Sequence, residues 1–206
     1  MYGYHNRFLY VDLTRQTWEV KSFPAEMLTQ YIGGAGLGAK ILFDGTDAAT
    51  DPLGPDNLLC LMTGPITGTK ITGTGRHSAV FKSPLTGAWG EASVGGSWGR
   101  ELKRAGYDGI VIRGRADKPC YLWIEDNAVE FRDAASVWGK DTYETDEALR
   151  RETHSQAVVS CIGPVGENLA LIAGIFTDGS EGRTAARCGV GAVQGSKNLK
   201  AIVVHG

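Results

Sequence analysis

The sequence predicts an α+β fold made of two pseudo-symmetric halves from an internal duplication, with mixed sheets and short helices. Three observations carry this. The same order of elements runs twice along the 206 residues. Each half contains an apolar run ending in Gly-Pro, at Gly64-Pro65 and Gly163-Pro164. Each half closes with a glycine segment leading to a β-branched strand that ends in glycine, at Ile110 to Gly114 and Ile202 to Gly206. The halves are about 1–114 and 115–206, joined near Arg115 to Pro119.

Each half opens on a hairpin. Arg7 to Leu13 and Thr17 to Phe23 flank a polar turn, as do Cys120 to Ile124 and Ala128 to Arg132. Apolar alternation with β-branched and aromatic residues is the signature of half-buried strands. A helix follows each hairpin. Pro24 to Tyr31 opens with proline, whose fixed φ suits a helix start. Asp141 to Thr153 places Asp141 and Glu144 at capping-box spacing. Next come the Gly-Pro strands, Leu58 to Thr63 and Val158 to Ile162, then strands at Ser78 to Lys82 and Ala170 to Phe176. The glycine segment, a short helix and the closing strand complete each half. The closing strand, Leu199 to His205, carries no polar tail, which points to a domain continuing into a longer polypeptide.

Composition narrows the function classes. Hydrophobic content of 42%, charged content of 21% and a net charge of −2 suit a soluble globular chain and supply no global field for nucleic acid or anionic membrane. No stretch has the length and apolarity of a membrane span or signal core, so a cytoplasmic location is expected. Cys60, Cys120, Cys161 and Cys188 form no CxxC pair and read as reduced, mostly buried thiols. Glycine is the outlier: its 29 residues are about twice the usual share.

Clustered glycines let a backbone approach a ligand and present its N–H groups. The segments Gly95-Gly96-Ser97-Trp98-Gly99 and Cys188-Gly189-Val190-Gly191-Ala192 are therefore candidate phosphate cradles, with Arg76 and Lys82 upstream of the first and Arg183 and Arg187 upstream of the second. Arg183 and Arg187, four apart, share a face if their segment is helical. Guanidinium forks match phosphate oxygens, and a solvated basic turn stands as the alternative reading. Gly33 to Gly38 mimics a dinucleotide fingerprint but follows a helix, so tight turns and close packing explain it better. His77 reads as structural.

Several blocks in order are similar to one family, the N-terminal domain of tungsten-containing aldehyde ferredoxin oxidoreductases: Lys82-Ser83-Pro84-Leu85-Thr86-Gly87, Ala105-Gly106-Tyr107-Asp108, Gly166-Glu167-Asn168-Leu169 and Gly195-Ser196-Lys197-Asn198-Leu199-Lys200-Ala201. The resemblance implies a base domain for a tungsten bis-pterin cofactor (tungstopterin). It further implies a magnesium ion bridging the two pterin phosphates, aldehyde oxidation to carboxylic acids, and electron transfer through a [4Fe-4S] cluster to ferredoxin. Carried over by position, Arg76 matches an arginine between pterin and cluster, and Gly95 and Arg183 match pterin contacts. Arg187 joins them as a cofactor-binding candidate. Ser93 and Thr184 match the magnesium positions, Thr184 through its backbone carbonyl. Ser93 departs from the pattern, which has asparagine there.

The family's cluster cysteines and main pterin motifs lie in later domains, so the chain by itself is expected to be inactive and to partner the remaining domains of its polypeptide, with a homodimer as a further expectation and no catalytic residue of its own. A stand-alone, non-catalytic module binding pterin or nucleotide phosphates, or serving as a complex subunit, is the competing reading.

Overall fold

A computed structural model describes residues 2–206. The first sheet is built from β1 (Phe8–Asp12), β2 (Thr17–Lys21), β3 (Leu59–Thr63), β4 (His77–Lys82), β5 (Trp89–Val94) and β6 (Gly109–Arg113). Its strand order is β2-β1-β6-β3-β4-β5. The second sheet contains β7 (Cys120–Glu125), β8 (Ala128–Asp133), β9 (Val158–Cys161), β10 (Ile175–Thr177), β11 (Arg183–Ala185) and β12 (Leu199–His205). Read from its other edge, its order is β8-β7-β12-β9-β10-β11. The two orders coincide when each strand is advanced by six. In both sheets the opening strand pairs in parallel with the closing one, β1 with β6 and β7 with β12. The remaining neighbours are antiparallel.

The duplication extends to the helices. α1 (Ala25–Tyr31) and α2 (Gly34–Gly45) follow the first hairpin, and α4 (Thr142–Glu152) follows the second. α3 (Trp98–Arg104) precedes β6 as α6 (Val190–Ser196) precedes β12, and both exits turn on a left-handed residue, Gly106 at φ 89 and Asn198 at φ 55. α5 (Pro164–Glu167) starts on the second Gly-Pro pair. The Asp141–Glu144 capping box forms as predicted, with both reciprocal bonds to backbone N–H.

Strand alternation distributes the core over three layers. Leu59 and Leu61 of β3, Ile110 and Ile112 of β6, and Ile202 and Val204 of β12 point into one central cluster between the sheets, with Trp98 and Leu102 of α3 and Val193 of α6. The alternate residues face outward under the helices. Cys60, Met62 and Val80 meet Leu37 and Ile41 of α2, and Val159, Cys161 and Val203 meet Leu149 of α4. Strands covered on both faces read as continuous apolar runs, which is why β3 reads Leu-Cys-Leu-Met. Polar ties cross between the halves: the Trp98 indole N–H donates to the Ile202 carbonyl at 3.0 Å, and the Ser83 hydroxyl donates to the Cys188 carbonyl at 2.8 Å. The buried Lys197 ammonium donates to the carbonyls of Asn57 at 2.6 Å and Gly114 at 3.3 Å.

Four expectations change. Gly33 to Gly38 opens the twelve-residue helix α2 instead of forming turns only. Its glycines serve packing, since a Cβ on Gly38 would lie 2.8 Å from Val80 Cγ2. The strand expected over Ala170 to Phe176 is confined to Ile175–Thr177, because the preceding residues fold over α6, where a Cβ on Gly191 would lie 2.5 Å from the Gly174 carbonyl. Arg183 and Arg187 share no helical face, because Arg183–Ala185 is a strand paired with β10. The edge strands β5 and β11 are additional to the predicted elements; Gly90, Ala92 and Ser93 carry little β propensity, and β11 has only three residues.

Candidate functional site

Sheet topology brings the two unpredicted strands together. β5 and β11 are the edges of their sheets and lie beside each other. Tracing the ladders outward relates them. Gly109 opposes Met62, Met62 opposes Ser78, and Ser78 opposes Ser93. In the second sheet Ala201 opposes Cys161, Cys161 opposes Phe176, and Phe176 opposes Thr184. Gly109 and Ala201 hold the same place relative to the terminal glycines Gly114 and Gly206, so Ser93 and Thr184 are equivalent positions of the duplicated fold.

Between them lies a cavity of about 310 Å³. Arg76, Ser93, Thr184 and Arg187, four of the six predicted site residues, line it with Glu91, Ala92 and Ala186. Arg76 Nη1 donates to the Ser93 hydroxyl at 3.2 Å and its carbonyl at 3.4 Å. The Thr184 hydroxyl donates to the Gly182 carbonyl at 2.9 Å. The other two predicted residues flank the cavity. Gly95 follows β5, and nothing lies within 4 Å of where its Cβ would be. Arg183 points to solvent with its Nε 3.4 Å from a Glu181 oxygen. In the sequence Glu91 reads as one of several scattered acidic residues with no diagnostic spacing; the strand period of two puts it on the face of β5 that presents Ser93.

Asp178, also unpredicted as a site residue, holds the two halves in register here. Its left-handed backbone, at φ 63, aims its carboxylate at the turn before α3. There it accepts from the Ser97 amide at 2.7 Å and the Ser97 hydroxyl, and from the Thr177 hydroxyl at 2.7 Å. Gly96, at φ 94, fits beneath it, because a Cβ there would lie 2.1 Å from Asp178 Oδ2.

A second cavity, of about 200 Å³, shares Arg76 with the first. Thr67, Thr74, His77 and Ser78 line it with Arg76. His77 is buried and stacks on Trp98 with ring centroids 4.7 Å apart. Burial pushes its pKa down to about 4, with Asp178 pulling weakly the other way, so the imidazole is neutral at pH 7. A charged side chain common to two adjacent cavities can contact ligands in both.

Two other candidates fall away. The second glycine segment is no open cradle: a Cβ on Gly189 would lie 2.8 Å from the Leu171 carbonyl, and one on Gly191 2.5 Å from that of Gly174. Lys82, at the far end of β4 from Arg76, donates to the carbonyls of Asp47 at 3.1 Å and Ala48 at 2.8 Å. A larger concavity, about 890 Å³ between α2 and Trp89, is mainly apolar; Lys82 lines it, and none of Arg76, Ser93, Gly95, Arg183, Thr184 and Arg187 does.

The donor set of the 310 Å³ cavity favours anions. It holds two guanidiniums and one carboxylate. Among the described residues no group of three or more His, Cys, Asp or Glu side chains could hold a metal. A cation at this seam therefore requires oxygen donors from a ligand, and phosphate groups are the chemistry that paired arginines attract.

A family model described as "Aldehyde ferredoxin oxidoreductase, N-terminal domain" matches residues 8–206. The chain belongs to the aldehyde ferredoxin oxidoreductase family. It is 46% identical over 207 residues to the tungsten-containing aldehyde ferredoxin oxidoreductase of Pyrococcus furiosus, covering all of this chain and 34% of that protein. It is 38% identical to the aliphatic sulfonate oxidoreductase, WOR-like subunit, of the same organism, covering all of this chain and 35% of that one. Among solved structures, the active site complex BamBC of benzoyl coenzyme A reductase superposes with a TM-score of 0.96 at 39% identity, over all of this chain and 31% of that one. The chain spans about a third of the length of the curated relatives it matches. The match to BamBC accords with the α+β fold and paired sheets expected from the sequence.

Proposed function

We propose that residues 1–206, with half-repeats about 1–114 and 115–206, form the cofactor-base domain of a tungstopterin oxidoreductase that oxidises aldehydes to carboxylic acids and passes electrons to ferredoxin. The supporting observation is the position of Arg76, which lines two adjacent cavities, one of them built from equivalent edge strands of both halves. Two equivalent edges suit a ligand with two similar ends.

In this reading Arg76 and Arg187 neutralise pterin phosphates in the larger cavity, while the open backbone at Gly95 and the side chain of Arg183 bound its rim. Ser93 and Thr184 serve a bridging magnesium, Thr184 through its carbonyl. The ion's remaining oxygen donors come from phosphate, in keeping with the anion-favouring donor set. When bound, the tungsten centre supplies the two-electron oxidation, and the chain's own residues hold and orient the pterins. The second cavity, which shares Arg76, is the one we assign to the [4Fe-4S] cluster, whose cysteines belong to the remaining length of the family's proteins. That length, ferredoxin and a second copy are the proposed partners, in the cytoplasm; nucleic acid and membrane have no part in the proposal. No helix among the described residues is long and apolar enough to cross a membrane.

Tungsten and pterin content of the full-length protein tests this reading. Arg76→Ala and Arg183→Ala should each lower both, measured by elemental analysis and by fluorescence of released pterin. Full occupancy in both variants would refute the assigned roles.

A further inference from the structure

We propose that the N-terminus of α2, together with Ser78, donates hydrogen bonds to the sulfurs of the [4Fe-4S] cluster and so raises its potential. This rests on the assignment of the cluster to the second cavity. α2 begins at Gly34 after an N-cap, Gly33, that supplies no side-chain bond, and its first turn holds no acidic residue. The N–H groups of Gly34, Ala35 and Gly36 have no hydrogen-bond partner among the described residues; the first bond of the helix runs from the Leu37 N–H to the Gly33 carbonyl at 3.4 Å. Helix starts ordinarily satisfy such donors with a cap. An uncapped start presents them, with the positive end of the helix dipole, to an anion. Gly34 lines the cavity. Packing explains the glycines beside it, since a Cβ on Gly33 would lie 2.9 Å from the Thr63 carbonyl and one on Gly36 2.5 Å from that of Tyr31. A Cβ on Gly34 would meet only the Ser78 hydroxyl, at 3.9 Å.

Ser78 faces this helix end from β4. It is 9% exposed and shares the outward strand face with Val80, which packs under α2. Its hydroxyl opens on the cavity without a hydrogen-bond partner among the described residues. Of the other polar groups there, the Thr67 hydroxyl donates to the Arg76 carbonyl at 3.2 Å and the Thr74 hydroxyl to the Ile71 carbonyl at 2.9 Å. Arg76 engages only Nη1, on Ser93. The free groups are thus donors: three amides, one hydroxyl and the rest of the guanidinium. No carboxylate lines the cavity, and Met62 and Ile66 give it apolar wall. Donors set in apolar wall suit a weakly hydrated anion, such as a thiolate-ligated cluster, better than a strongly hydrated ion. No cysteine lines the cavity, so the thiolates come from elsewhere in the polypeptide. Each donor favours the reduced cluster, which carries one more negative charge, and hydrogen bonds to the sulfurs help to set cluster potentials.

The test is a redox titration of the full-length, cluster-loaded protein, followed by the electron paramagnetic resonance signal of the reduced cluster. Ser78→Ala should lower the midpoint potential. Ser78→Thr, which keeps the hydroxyl, should hold it. Ser78→Asp, which aims a carboxylate at the helix end, should lower it furthest. Ser78→Asp also supplies the acceptor that the first turn of α2 lacks, so the urea midpoint should not fall with the potential. Equal potentials in Ser78→Ala, Ser78→Asp and the unsubstituted protein overturn the role of α2 and Ser78. If Arg76→Ala still shifts the potential, the cluster stays assigned to this cavity and only the present inference falls. Equal potentials throughout, Arg76→Ala included, overturn the assignment as well. A urea midpoint that falls in step with the potential in Ser78→Asp, or a Ser78→Thr that behaves as Ser78→Ala, marks structural damage and overturns the donor role.

Discussion

Arg76 Nη1 lies 3.2 Å from the Ser93 hydroxyl, a bond that ties the residue before β4 to the edge strand β5. It aims a guanidinium at the seam between the two sheets. Arg76→Ala should lower phosphate affinity about tenfold, the scale of one charge-assisted hydrogen bond. Arg76→Lys should recover part of the affinity, because the point charge survives and the fork does not. Calorimetry with inorganic phosphate reads both, and equal affinities in all three proteins would remove Arg76 from the site.

Neighbouring glycines should respond in opposite ways. Gly95→Ala meets open space and should leave stability within about 0.5 kcal/mol. Gly96→Ala requires a left-handed backbone at φ 94 and drives a Cβ into the Asp178 carboxylate, so it should cost roughly 2–4 kcal/mol. Urea unfolding distinguishes them. Similar losses at both positions would contradict the geometry of this turn.

The second glycine segment should behave as packing. Gly191→Ala places a Cβ 2.5 Å from the Gly174 carbonyl, backbone against backbone, so α6 and the chain before β10 must separate. A loss of about 3 kcal/mol or more is expected. Phosphate affinity of the fraction that stays folded should be unchanged, and a selective loss of affinity would return this segment to the binding site.

His77 should impose an acid limit on stability. Its folded pKa of about 4 lies below the ordinary value of 6.5, because burial disfavours the imidazolium. Between these values the unfolded chain holds the proton and the folded chain does not, so stability falls as pH drops from 6.5 towards 4. His77→Phe keeps a ring against Trp98 and should flatten that part of the profile. Denaturant midpoints from pH 7 to 4 test it; parallel profiles would exonerate His77.

Lys197 should act on the alkaline side. Burial, reinforced by Arg115, pushes its pKa down to about 7 from 10.5. Above pH 7 the unfolded chain holds the extra proton, so stability should rise by about 1–2 kcal/mol between pH 7 and 8.5. Cys60 and Cys161 limit the window, since burial raises both thiols to about 12 and stability they protect is lost once free thiols ionise near 9. Lys197→Met should abolish the rise, and its persistence would point to other groups.

The sequence by itself determined the repeated order of elements, the Gly-Pro strand ends, the Asp141 cap and most of the central strands. Those features are local, since alternation, caps and turn residues act over a few positions. The family resemblance also marked Arg76, Ser93 and Thr184, and the basic residues beside the second glycine segment marked Arg187. Only the tertiary structure decided that these four meet, because the cavity forms where β5 and β11, weak strands at the outer edges of separate sheets, come side by side. It also decided which glycines are open. Gly95 faces space, whereas Gly191 and Gly195 press against backbone. A missing side chain looks the same in sequence whether a ligand or another strand of the chain fills the gap, and packing alone tells them apart.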